Sequence, residues 1–206
     1  MEISLSILGI KDIKKAVKLV NDTNTDYLHL DVMDGVFVNN KAYDVEQIKY
    51  VINNSNKKID AHFMVNNPMY YLESLKGYNL EYFTFHLEVD DVINIIKKAK
   101  ENGYKVGVSI KPNTNINDLK KYIDYVDMVL IMSVEPGMGG QSYIRNTENR
   151  IRDVKTMIGN KNIKISVDGG INNETIKLIK DSDIAVVGSY ITNSDDFQER
   201  INLLRR

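Results

Sequence analysis

The feature that most restricts this chain is an alternation, repeated eight times, of a short apolar run and an amphipathic segment. The apolar runs are Ile3–Leu8, Tyr27–Val32, Lys58–Val65, Leu80–His86, Lys105–Ile110, Val126–Ser133, Ile163–Val167 and Ile184–Val187. They are short and rich in β-branched and aromatic residues, as buried strands are. Between them, apolar residues recur at helical spacing. Ile13, Ala16, Val17 and Val20 form one stripe in Lys11–Val20, and Val92, Ile95, Ile96 and Ala99 form another in Val92–Lys100. Asn102-Gly103 supplies a stop signal before the fifth run, and Asn172-Asn173-Glu174 an N-cap ahead of a helix expected over Thr175–Ile179.

Regular β-then-α order implies parallel strands joined by right-handed crossovers. Eight such units in 206 residues suit an α/β fold, a single-domain (β/α)₈ TIM barrel over residues 1–206 with short loops. The competing arrangement, a doubly wound open sheet, would carry a glycine-rich turn after its first strand. Leu8-Gly9-Ile10 offers one glycine there.

Composition narrows the function classes. Lys and Arg total 27 against 28 Asp and Glu, a net charge of −1, so no basic excess points to nucleic acid or an anionic membrane surface. There is no cysteine, so a metal would have to be held by histidines and carboxylates. No apolar run approaches the roughly 18 residues of a membrane-spanning helix. Met1–Gly9 opens as a strand rather than as a basic region with a long apolar stretch, and a cytoplasmic protein is expected.

Side chains two residues apart on a strand share a face. In the second run His29, Asp31 and Met33 share one face, and Leu28, Leu30 and Val32 the other. The apolar set suits packing against helices, so the polar set faces the lumen near its C-terminal mouth. Asp60, His62 and Met64 share a face of the third run, and Asp168 closes the seventh in Val167-Asp168-Gly169-Gly170. A carboxylate buried in a barrel is costly unless it is paired or bound to a metal. His29, Asp31, His62 and Asp168 together form a set of nitrogen and oxygen donors suited to zinc, iron, manganese or cobalt. Any one of them could be an ordinary core histidine or a capping aspartate; four at strand ends on lumenal faces point to catalysis. The third histidine, His86, also points to the mouth, either orienting a ligand or simply hydrogen-bonded at a strand end, the reading taken at this level.

Glycines cluster in three late loops: Gly137, Gly139 and Gly140 after the sixth run, Gly169 and Gly170 after the seventh, and Gly188 before Ser189 after the eighth. Glycine lets backbone N–H groups approach an anion closely. Barrels of this kind often bind phosphate with the loops after strands seven and eight and a helix N-terminus.

These stretches resemble the ribulose-phosphate 3-epimerase family over nearly the whole chain. The resemblance is carried by Ser6-Ile7-Leu8, His29-Leu30-Asp31-Val32-Met33-Asp34-Gly35, Asp60-Ala61-His62-Phe63-Met64, Met132-Ser133-Val134-Glu135-Pro136-Gly137-Met138-Gly139-Gly140-Gln141-Ser142, Val167-Asp168-Gly169-Gly170-Ile171 and Gly188-Ser189. It implies one divalent cation, zinc first among the candidates, bound by His29, Asp31, His62 and Asp168. Asp31 and Asp168 would be the acid and base. Ser6, His62, Met33, Met64 and Met132 would contact substrate, and Gly137, Gly139, Gly140, Gly169, Gly170, Gly188 and Ser189 its phosphate. The implied reaction inverts C3 of D-ribulose 5-phosphate, one carboxylate removing a proton and the other returning one, through an enediolate whose charge a cation offsets. The resemblance further implies a pentose phosphate pathway enzyme and a homo-oligomer, dimer or hexamer.

The match has departures. Val36 stands where the family usually has a histidine, Asn40–Asp44 replaces a stretch rich in Gly and Pro, and Gly9-Ile10-Lys11 shortens the segment after Leu8. A 3-epimerase of a six-carbon sugar such as allulose 6-phosphate is therefore a rival, as is a catalytically silent sugar-phosphate-binding barrel. The orotidine-phosphate decarboxylase group would need a lysine between paired aspartates, which Asp31-Val32-Met33-Asp34 lacks. Tyr70, Tyr71, Tyr78 and Tyr82 are either a candidate subunit interface or half-buried aromatics.

Overall fold

The computed structural model describes residues 1–205; Arg206, the last residue of the expected barrel span, lies outside the described residues. Eight parallel strands are present: β1 (Glu2–Ser6), β2 (Tyr27–Asp34), β3 (Lys58–Met64), β4 (Tyr82–His86), β5 (Lys105–Ile110), β6 (Met128–Met132), β7 (Lys164–Asp168) and β8 (Ile184–Val187). Each pairs with the next in sequence, and β8 and β2 both flank β1, so the sheet closes into a barrel. A two-residue strand, Lys41–Ala42, runs antiparallel against Met33 and Asp34 at the end of β2.

Several apolar runs overshoot the hydrogen-bonded ladders, whereas β2 runs on past Val32 to Asp34 and β7 past Val167 to Asp168. Strand β1 ends at Ser6 rather than Leu8, β4 begins at Tyr82 rather than Leu80, and β6 covers Met128–Met132 rather than Val126–Ser133. Ile7, Leu80 and Val126 are nevertheless buried, because the chain entering and leaving the barrel also packs against the helices. Apolarity reports burial rather than the extent of pairing.

The α-helices are α1 (Ile13–Asn21), α2 (Val45–Asn54), α3 (Pro68–Ser74), α4 (Val92–Glu101), α5 (Thr147–Ile158), α6 (Ser189–Thr192) and α7 (Phe197–Leu204). Local chemistry starts several of them. Asp12 Oδ1 accepts from the Lys14 and Lys15 amides ahead of α1, and Asp44 and Gln47 form a reciprocal capping box on α2. Proline opens α3, where its missing N–H costs nothing. The connection after β5 is 3₁₀, at Ile116–Lys121 and Ile123–Tyr125. The helix expected over Thr175–Ile179 is likewise a 3₁₀ turn, Thr175–Lys177. Asn172 Oδ1 accepts from the amides of Glu174 and Thr175, and the Thr175 hydroxyl donates to Gly170 O at 2.9 Å. These side-chain bonds to the backbone compete with a longer helix.

The outward strand faces, with Leu28, Leu30 and Val32 on β2, join the helix stripes Ala16, Val17, Val20 and Ile48, Val51 in one core. The lumen is filled in layers drawn from alternate strands. Its floor is Tyr27, Tyr82, Met128 and Ile184, from β2, β4, β6 and β8. The strand register then stacks Ser4, Asp60, Gly107 and Ser166 above it, then His29, Thr84, Leu130 and Val186, then Ser6, His62, Ser109 and Asp168. Polar groups therefore crowd the β1–β4 side of the lumen, while β6 and β8 supply Leu130, Met132 and Val186.

Tyr82 belongs to this floor and takes no part in a surface cluster. Tyr71 packs on Phe63, and Tyr70 is exposed against the edge of Tyr71. Among the described residues no helix is long and apolar enough to cross a membrane.

Candidate metal centre

One donor atom from each of His29, Asp31, His62 and Asp168 lies within 4.8 Å of the others. The strand periodicity explains the convergence: His29 and Asp31 are two apart on β2, His62 stands level with Asp31 on β3, and Asp168 ends β7. His29 Nε2 is 3.4 Å from Asp31 Oδ1 and 3.9 Å from Asp168 Oδ2, and His62 Nδ1 is 3.6 and 3.5 Å from the same oxygens. These separations exceed those of good hydrogen bonds. Three of the four match donors sharing one ion, since bonds of about 2.0–2.2 Å at tetrahedral angles place donors roughly 3.3–3.6 Å apart.

The fit to a cation rests on two atoms. His29 Nε2 and His62 Nδ1 are fully buried and have no hydrogen-bond partner among the described residues. Buried polar atoms are rarely left so, and both point into the cluster. The far side of each ring is engaged. His29 Nδ1 is 2.8 Å from Asp60 Oδ2, which also accepts from Ser4 Oγ at 2.9 Å. His62 Nε2 is 2.9 Å from His86 Nε2, and His86 Nδ1 is 3.0 Å from Glu88 Oε2. His86 thus bonds directly to a candidate ligand; it is more than a histidine satisfied at a strand end.

Without a cation the charges lean on one another. Burial depresses the His29 pKa, but Asp60 and Asp31 outweigh it and hold the imidazole well above its usual value. Burial acts the same way on His62, and the nearby Asp168 and Asp31 carboxylates overcome it and raise its pKa. Burial would raise Asp31, yet His29 and His62 keep it well below the ordinary carboxylate range. Its Oδ2 also accepts from Ser6 Oγ at 2.6 Å. His86 is pushed by burial down to about 4, Glu88 opposing.

Above the cluster opens a cavity of about 360 Å³ lined by the expected residues of the mouth. Ser6, Asp31 and Asp168 lie at its base with Met33, Met64 and Met132 around them. Gly137, Gly139, Gly140, Gly169, Gly170, Gly188 and Ser189 form the side beyond β6, β7 and β8. His29 and His62 are buried beneath. Some glycines have a packing reason of their own. Gly169 has φ +120° and a Cβ there would stand 2.4 Å from Val134; at Gly170, φ +65°, it would meet the Tyr143 amide nitrogen at 2.4 Å.

The divergent stretch after β2 reaches this mouth. Val38 packs with Met33 and Met64 and touches Gly137, and Asn40 Nδ2 donates to Gly137 O at 2.7 Å. Phe37 lies over His86, ring centroids 4.7 Å apart. Val36 itself is exposed.

Ser4, Asp60 as partner of His29, and Glu88 escaped assignment from sequence. A weak signal existed, since Ser4 alternates with Ser6 and Asp60 with His62 on lumenal faces. What they bond to depends on the neighbouring strand.

A family model described as "Ribulose-phosphate 3 epimerase family" matches residues 2–192. The chain is 32% identical to the ribulose-phosphate 3-epimerase of Mycobacterium tuberculosis over 209 residues, covering 99% of this chain and 91% of that protein. It is 32% identical to the ribulose-phosphate 3-epimerase of Bacillus subtilis over 202 residues, covering 95% and 90%. Among solved structures, 3-hexulose-6-phosphate synthase from Salmonella typhimurium superimposes with a TM-score of 0.72 at 18% identity, over 99% of this chain and 96% of that one.

Proposed function

The chain belongs to the ribulose-phosphate 3-epimerase family of isomerases, and we propose that it epimerises C3 of a ketose phosphate, D-ribulose 5-phosphate to D-xylulose 5-phosphate, in the pentose phosphate pathway. The observation that carries this reading is the convergence of His29, Asp31, His62 and Asp168 at the base of a cavity whose far wall is made of glycine loops.

His29, Asp31, His62 and Asp168 would hold one divalent cation, zinc by preference given two imidazoles and two carboxylates. When bound, it supplies Lewis-acid polarisation of the ketose carbonyl and offsets the negative charge that develops beside C3. Asp31 and Asp168 do the proton work. They reach the cavity from β2 and β7, strands separated by β1 and β8. One carboxylate takes the C3 proton from one face of the sugar; the other returns a proton to the opposite face. Ser6 donates to Asp31 Oδ2 at 2.6 Å, which orients that carboxylate. Met33, Met64 and Met132 present polarizable surface with no exchangeable proton beside the reacting carbon. The loops bearing Gly137, Gly139, Gly140, Gly169, Gly170 and Gly188, with Ser189, bind the phosphate and fix the distance from it to C3. The same reading makes the chain a single cytoplasmic domain, 1–206, that assembles as a homo-oligomer.

The test is C3 epimerisation of D-ribulose 5-phosphate by wild type, metal-stripped and zinc-reconstituted protein, and by Asp31→Asn and Asp168→Asn. Stripping should abolish turnover reversibly, and each substitution should lower kcat by roughly 10²–10⁴. Undiminished turnover in both variants would refute the two-carboxylate mechanism.

A further inference from the structure

We infer that Glu88 and His86 form a positioning relay that selects the tautomer of His62 and so presents its Nδ1 lone pair to the metal, an inference that rests on the metal-dependent reading above. Glu88 sits two residues beyond the end of β4, and its Oε1 accepts from the Lys111 amide at 2.9 Å and from the Thr114 hydroxyl. Its Oε2 faces His86 Nδ1 at 3.0 Å. An ionised carboxylate only accepts, so His86 must carry its proton on Nδ1. A neutral imidazole protonated there has an accepting Nε2. That atom lies 2.9 Å from His62 Nε2, so His62 must be the donor, through Nε2–H. In the neutral ring that metal binding requires, the remaining nitrogen, Nδ1, is then unprotonated, and it is the buried, unpartnered atom facing Asp31 and Asp168.

The two imidazoles are therefore oriented by different devices. Asp60 acts on His29 directly at 2.8 Å, whereas Glu88 acts on His62 through an intervening ring. The relay keeps the Glu88 charge one imidazole farther from the cluster. It is also sheltered. His86 is fully buried, with Phe37 of the divergent stretch packed on it and Lys111 Nζ 4.0 Å from the Phe37 ring centre. Phe37 thus covers the outer face of His86 and shields the chain of bonds from water.

The experiment measures zinc affinity by competition with a chelating indicator for wild type, His86→Phe, His86→Gln and Glu88→Gln. Metal-free thermal unfolding checks that each variant folds. Phenylalanine removes the acceptor for His62 Nε2–H; glutamine returns an amide oxygen near the place of His86 Nε2. His86→Phe should weaken zinc binding by about 10–100-fold, the usual effect of losing a group that orients a ligand. His86→Gln should recover most of that loss, and Glu88→Gln should fall between. Long-range ¹H–¹⁵N correlation spectra of the zinc-loaded wild type should place the His62 proton on Nε2 and the His86 proton on Nδ1. Either proton on the other nitrogen overturns the relay, and this decides the matter even if His86→Phe does not fold. Wild-type affinity in a folded His86→Phe, or a His86→Gln as weak as His86→Phe, overturns it too. Both of these outcomes leave the metal site standing; failure of wild type to bind zinc removes the site and the relay with it.

Discussion

Replacing Gly169 by alanine should unseat the end of β7, and the size of the effect follows from two separate strains. The residue has φ +120°, a conformation that costs a non-glycine residue about 1–3 kcal/mol. The added methyl would lie 2.4 Å from Cγ2 and 2.7 Å from Cγ1 of buried Val134, and relieving such overpacking typically costs about 1–3 kcal/mol more. The sum is about 2–6 kcal/mol, which lowers Tm by roughly 5–20 °C in a protein of this size. Adding Val134→Ala deletes both γ-carbons but leaves Val134 Cβ 2.9 Å away, so it should return most of the packing part and none of the φ part. The assay is thermal unfolding of wild type, both single variants and the double variant, with kcat and KM measured beside it. The double variant should be destabilised by less than the sum of the singles. Activity should fall with stability, because the Ser133 hydroxyl ties the carbonyls of Asp168 and Gly169 at 2.8 and 2.6 Å and any shift reaches the Asp168 carboxylate. A displacement near 1 Å at reacting groups can cost about 10² in rate. A Gly169→Ala protein melting within about 1 °C of wild type, or strictly additive losses, would refute this reasoning. A raised KM with unchanged Tm would mean that Gly169 serves the phosphate alone.

Other outcomes follow from the same geometry. His29 and His62 have raised pKa values without metal, so the stability they contribute as imidazolium ions is complete below the unfolded value near 6.5 and is lost as pH rises through their folded values. Metal binding needs both rings neutral; the rise in Tm on adding zinc should therefore grow as pH increases above about 6.5, and scanning fluorimetry showing a constant rise would contradict the charge assignment. Asn40→Ala removes the 2.7 Å bond to Gly137 O that joins the divergent stretch to the glycine loop. Loss of about 0.5–1.5 kcal/mol of order there should raise KM up to about tenfold with kcat nearly unchanged in steady-state assays. Parallel kinetics with D-ribulose 5-phosphate and D-allulose 6-phosphate should give the higher kcat/KM for the pentose; the reverse ranking would assign the chain to the six-carbon sugar.

The eightfold alternation and the phase of each strand were legible because they are local. A period of two decides that His29, Asp31 and Met33 share a face whatever lies next to them, and the helix-facing Leu28, Leu30 and Val32 say which face is the lumen. The glycine loops were legible for a similar reason, although packing against Val134 and Tyr143 accounts for Gly169 and Gly170 independently of any anion. Less was legible where side chains compete with backbone. Asn172 and Thr175 shortened an expected helix to a 3₁₀ turn, and Lys41–Ala42 paired with the end of β2 with no hydrophobic pattern to announce it. Tyr82 seemed to belong with Tyr70, Tyr71 and Tyr78; strand phase sends it to the barrel floor.

The amino-acid order alone settled which residues enter the lumen and which lie outside, since strand alternation and helix stripes are properties of near neighbours. Only the closed barrel decided which nitrogen of each imidazole faces inward. His29 meets Asp60 from β3, and His62 meets His86 from β4, across strand pairs 31 and 24 residues apart in the chain. Those meetings depend on strand order and register around the whole ring, and no local periodicity contains them.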